Sequence, residues 1–139
     1  MLIKNRSNTY DFSFNLVFVT KHRKEVFVNE DLKNEMKDYL KAIAFKKNVR
    51  VEKIEVLVDY VDMQISFQPD VAPASVVKSL KGTSARMWFK AHPDIKDELW
   101  DGHLWSPSYF MATVGSVSSN TIDKYVADQI QKQVHPKRK

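Results

Sequence analysis

Val58-Asp59-Tyr60-Val61-Asp62-Met63-Gln64-Ile65-Ser66-Phe67 is the stretch of this 139-residue chain on which the fold turns. Val61, Met63, Ile65 and Phe67 alternate with Asp62, Gln64, Ser66 and Gln68. Period two places one set inward and the other outward, so the stretch reads as a half-buried strand. Tyr60 and Asp62 sit two apart and therefore share the polar face of that strand. A polar strand face facing a helix is where a site can be built.

Working outward, Tyr10 to Thr20 carries Phe12, Phe14, Leu16 and Phe18 at period two, with Val17 and Val19 filling the other side. Such a strand is covered on both faces near its end. Lys21-His22-Arg23-Lys24 forms a basic turn, followed by the apolar pair Val26-Phe27. From Asp31 to Lys46, Leu32, Met36, Tyr39, Leu40, Ile43 and Ala44 fall on one helical face, and Lys33, Lys37 and Lys41 on another. Val49 to Val58 reads as a strand whose inward set shifts from Val49 and Val51 to Ile54, Val56 and Val58, which predicts a bulge near Lys53.

Pro73 suits the first turn of a second helix, with Val76, Val77, Leu80, Met87 and Trp88 as its apolar stripe and His92-Pro93 as its stop. Gly82 inside that helix costs about 1 kcal/mol relative to alanine, which suggests a close backbone approach there. Leu104 to Val114 supplies a strand, or two strands interrupted by Pro107. A last helix follows, capped by Asn120 with Asp123 and burying Ile122, Val126 and Ile130. Tyr125 and Gln129, four apart, share one of its faces.

The order β-α-β-β-α-β followed by a helix is an α+β, ferredoxin-like (split βαβ) pattern with an antiparallel sheet. Length and the absence of a linker or repeat predict one domain over residues 1–139, with a basic disordered tail from about residue 134. The chain has no cysteine, which excludes disulfides, thiolate metal sites and a cysteine nucleophile. His22, His92, His103 and His135 show no ligand spacing. No stretch approaches the ~20 apolar residues of a membrane span, and no apolar signal core follows Met1–Arg6, so a soluble cytoplasmic protein is expected. A net charge of +5 fits a polyanionic partner.

Four blocks together resemble the single-tyrosine HUH transposases of small insertion sequences, the TnpA type. They are the first strand and basic turn over 10–27, Lys81-Gly82-Thr83-Ser84-Ala85-Arg86, the block from Leu104 to Gly115, and Tyr125 with Gln129. The resemblance runs over roughly residues 10–131 and implies the same ferredoxin-like architecture. It implies a reaction in which a tyrosine, here Tyr125, attacks single-stranded DNA and forms a 5′-phosphotyrosine link. It also implies a divalent cofactor, magnesium or manganese, held by a His-hydrophobic-His strand and a polar side chain matching Gln129.

In this chain Tyr60 and Asp62 occupy the two histidine positions. Asp62 and Gln129 offer oxygen ligands suited to those ions, whereas a neutral phenol at Tyr60 is a poor ligand. Impaired cleavage and weakened metal binding are therefore expected. Lys21, Arg23, Lys24, Lys78, Lys81 and Arg86 match places that would contact DNA phosphates. The implied partners are single-stranded or hairpin DNA and a second copy of the chain in a homodimer. The alternative reading is a non-catalytic nucleic-acid-binding or dimeric interaction protein derived from a transposase.

Overall fold

In a computed structural model that describes residues 12–94, 102–114 and 119–134, four strands form one sheet in the order β2-β3-β1-β4. The elements follow as β1 (Phe12–Val19), α1 (Glu30–Lys46), β2 (Arg50–Val56), β3 (Tyr60–Phe67), α2 (Pro73–Ala91), β4 (Phe110–Thr113) and α3 (Ser119–Val134). Every pairing is antiparallel. This is the split βαβ arrangement expected from the order of elements, with α3 added at the end.

The central ladder pairs all eight residues of β1 with β3, from Phe12 opposite Phe67 to Val19 opposite Tyr60. Leu16 and Phe18 of β1, with Val61, Met63, Ile65 and Phe67 of β3, point into a core closed by α1 and α2. The shift of register between Val51 and Lys53 is the expected bulge, and it carries Lys53 and Glu55 to the face of Asp62 and Gln64. Helix α1 begins where the Asn29 side chain accepts from the Leu32 amide, satisfying one of the orphan donors of the first turn. Met36, Leu40, Ile43 and Ala44 of α1 and Val76, Val77, Leu80 and Trp88 of α2 are buried against the sheet.

Trp88 organises the far end of this core. Its ring lies 5.1 Å from Phe27, 6.2 Å from Tyr39 and 4.3 Å from His92. His92 ends α2 and bonds Glu35 of α1 through Nε2 at 2.9 Å, tying the two helices at one end.

Two expectations need correction. Only Phe110–Thr113 of the block from Leu104 to Val114 forms a strand. Its earlier part instead clasps the end of β1: the Lys21 amide donates to the Leu104 carbonyl, and the Ser106 amide to the Val19 carbonyl. Pro107, which lacks an N–H, follows that clasp and ends it. Gly82 makes no close backbone approach, because a Cβ there would meet only the Arg86 guanidinium at 3.9 Å. Tyr10, Trp100 and the tail fall outside the described residues, as do the side chains of Asn120 and Ile130.

Trp88→Ala is expected to cost about 3–5 kcal/mol in urea unfolding, since it opens a large void in a site enclosed on all sides. A cost below ~1 kcal/mol would show that the α1–α2 junction can collapse around the loss.

Candidate active site

The face of the sheet opposite α1 and α2 carries the residues singled out on β3. Directly paired residues project to the same side, so one row crosses this face as Phe110, Val17, Asp62 and Glu55. A second row pairs Val19 with Tyr60, and a third runs Ala112, Asn15, Gln64 and Lys53. Val17 and Val19 are both fully buried although they point away from the main core. Their cover includes α3, whose Tyr125 ring lies 5.6 Å from the Phe110 ring. The apolar residues on both sides of β1 thus reflect a sheet covered on both sides there.

Tyr60 and Asp62 lie in an acidic neighbourhood. Burial pushes the Asp62 carboxyl above its ordinary value of 3.8, and the charges of Glu55 and Asp123 push it further, against Lys53. The Tyr60 phenol is raised first by burial and then by Asp62, Asp123, Glu55 and Asp59. Asp123 comes from α3, so helix and strand contribute carboxylates to one place. The Arg23 guanidinium lies 6.0 Å above the Tyr60 ring.

Tyr125 and Gln129 come together around a residue that spacing alone did not reveal. The Ser108 hydroxyl lies 3.1 Å from the Tyr125 hydroxyl and donates to Gln129 Oε1 at 2.9 Å. Gln129 is only 4% exposed, so its amide is an interior group. Burial raises the Tyr125 phenol, and the bond to Ser108 partly offsets that. The signal for Ser108 was its place in the block from Leu104 to Gly115, but its partners depend on how α3 docks.

The basic residues divide into two sets. Lys24, Lys78 and Arg86 are exposed and Lys21 is half-buried. Arg23 and Lys81 are instead engaged inside the protein. Arg23 meets Asp59 Oδ2 through Nε at 2.9 Å and Nη2 at 2.7 Å, and donates through Nη1 to the Val126 carbonyl at 2.8 Å. Lys81 Nζ donates to the carbonyls of Ser106 at 2.7 Å and Ser108 at 3.0 Å. Burial pushes the Lys81 amine down to about 8.

The donor set does not fit a divalent cation. Gln129 Oε1 already accepts from Ser108, and Tyr60 is a phenol held further toward its neutral form. Asp62 is left as the one oxygen ligand of the expected set that is not otherwise engaged by a described bond. Among the described residues no three His, Cys, Asp or Glu side chains are grouped so as to hold an ion.

A family model described as "Transposase IS200 like" matches residues 8–129, and the chain belongs to that family. It is 38% identical over 130 residues to the ISDra2 transposase TnpA of Deinococcus radiodurans, covering 94% of this chain and 92% of that protein. A crystal structure described as a candidate transposase from Deinococcus radiodurans R1 superposes with a TM-score of 0.83 at 34% identity, covering 92% of this chain and 98% of the other. The fold alone is shared with a REP-associated tyrosine transposase bound to a REP hairpin, with TM-score 0.55, 9% identity, and coverage of 87% and 65%.

Asp62→Asn is expected to stabilise the protein at pH 7. The folded-state carboxyl titrates above its unfolded value, so the charged form costs stability once the pH exceeds the ordinary carboxylate range. At about pH 3 both states are protonated and the advantage of the variant should vanish. Thermal unfolding of both proteins at the two pH values checks this; destabilisation at pH 7 would mean that the carboxylate has a strong partner.

Proposed function

We propose that this chain binds single-stranded or hairpin DNA as a transposase-type protein, with Tyr125 at the nucleophile position, and that its metal-dependent strand cleavage is impaired. The observation that carries this reading is the row in which Asp62 lies opposite Glu55 with Tyr60 and Asp123 nearby. Cleavage through a 5′-phosphotyrosine needs positive charge against the scissile phosphate. Here the strand offers one carboxylate and a phenol where a histidine pair would hold a cation, and Glu55 and Asp123 add negative charge beside them. Like charges at that place oppose the approach of a phosphate.

Binding makes different demands. Lys24, Lys78 and Arg86 are exposed cations able to neutralise phosphates, with Lys21 half-buried in the same basic turn as Lys24. The hairpin held by the REP-associated relative, which shares the fold, is a reasonable guide to the type of DNA. One domain in the cytoplasm, acting as a homodimer, completes the reading. The dimer is supported by an apolar end of the sheet where Phe12 is 49% and Val114 41% exposed, beside the short edge strand β4.

The test is a nicking assay on hairpin-bearing single-stranded DNA with magnesium or manganese. The native chain should give no covalent protein–DNA adduct above the level of Tyr125→Phe. The double change Tyr60→His with Asp62→His should raise the adduct, and adding Tyr125→Phe should abolish it. An adduct formed by the native chain and lost in Tyr125→Phe would overturn the proposed impairment.

A further inference from the structure

Helix α3 carries Tyr125, and the apolar anchorage of its described side chains is modest. Among its described side chains, Ile122, Tyr125 and Val126 are half-buried, and the fully buried one is the amide of Gln129. The described hydrogen bonds that reach the helix from outside trace back to two half-buried cations.

The first is Arg23. Its guanidinium is fixed by Asp59 and spends Nη1 on the Val126 carbonyl, the residue after the tyrosine. The side chains of Arg23 and Asp59 are each 13% exposed, so this pair is largely withdrawn from water. Aiming it requires left-handed backbone at two successive residues, His22 with φ 58° and Arg23 with φ 52°. Non-glycine residues adopt that conformation at a cost of about 1 kcal/mol or more each, and it persists where the surroundings impose it. The planar guanidinium meets the carboxylate with Nε and Nη2 while Nη1 turns to the carbonyl, a fixed fork that the single nitrogen of an ammonium cannot reproduce.

The second is Lys81. Its two carbonyl bonds fix the segment from Ser106 to Ser108, and Ser108 then reaches α3. A hydroxyl has a single hydrogen. With Ser108 giving its hydrogen to Gln129, the neutral Tyr125 phenol is the donor at 3.1 Å. When the phenol ionises, Ser108 can turn its hydrogen to it, which is how this bond offsets burial. The resulting chain runs from Tyr125 to Ser108 to Gln129 and orients the phenol. Burial pushes the Lys81 amine down to about 8, in agreement with an amine partly withdrawn from solvent.

The geometry points to Arg23 and Lys81 as positioning residues for Tyr125, clamping its helix through the Val126 carbonyl and through Ser108, and not as phosphate contacts. This rests on the reading of Tyr125 as the nucleophile position, but its test does not require cleavage.

Hydrogen exchange of the full chain is compared with Arg23→Lys, Lys81→Met and Ser108→Ala. The amides of residues 122–129 should exchange about tenfold faster in each variant, while those of β3 and of 76–88 keep native protection. In parallel, the salt dependence of binding to a hairpin-bearing DNA oligonucleotide is measured. Lys81→Met should keep the native slope, whereas Lys24→Ala should lower it by about one. Unchanged exchange over 122–129, acceleration spread equally over β3, or a slope lowered in Lys81→Met would each overturn the assignment. If Lys81→Met prevents folding, Ser108→Ala decides for that arm, because it keeps the cation and breaks the link by which the arm reaches α3. If no variant alters the salt slope because the oligonucleotide does not bind, the DNA reading fails and the exchange pattern still decides this one.

Discussion

The antiparallel ladder between β1 and β3 is the constraint on which the molecule depends. Its eight-residue register places Val61, Met63, Ile65 and Phe67 on the helix-covered side, and with them Leu16 and Phe18. A slip of one residue would put Tyr60, Asp62 and Gln64 into the main core and expose the apolar set. Burial of six large side chains, each worth roughly 1.5–3 kcal/mol, opposes such a slip. The same register sets Asp62 beside Val17 and so beneath the helix of Tyr125. Fold and site are consequences of one alignment.

What that alignment presents is chemically unlike a metal-gripping strand. Glu55 across the ladder and Asp123 from α3 add negative charge around Asp62, with Lys53 the basic neighbour that opposes it. Family membership explains why strand, clasp and tyrosine helix occur together; it does not supply the ligands. The parts of the site that orient Tyr125 are intact in form, since Ser108 and Gln129 are joined and Arg23 holds the helix. Orientation and charge stabilisation are separable contributions to catalysis. The bonds around Tyr125 serve the first, and on the proposed reading the second is weak.

Legibility in the sequence followed the periodicities. The alternation in β3, the double-sided apolar run of β1, the stripes of α1 and α2 and the bulge near Lys53 all follow from local pattern, because burial repeats at fixed spacing. Contacts between distant segments were not legible. Nothing local announces that Ser108 joins Tyr125 to Gln129, or that Arg23 reaches the Val126 carbonyl across 103 positions of sequence. Gly82 shows the same limit, because its freedom from close contacts depends on where α2 lies against the clasp. Basic residues in the motif blocks looked alike in the sequence, yet docking draws Arg23 and Lys81 inward and leaves Lys24, Lys78 and Arg86 outside.

Manganese titrated into the native chain, followed by calorimetry and by the paramagnetic signal of the free ion, tests most directly whether this strand still grips a cation. The expected result is no saturable binding that Asp62→Ala removes, with saturable binding appearing in the Tyr60→His, Asp62→His chain. One ion bound per native chain, and lost in Asp62→Ala, would contradict the central claim.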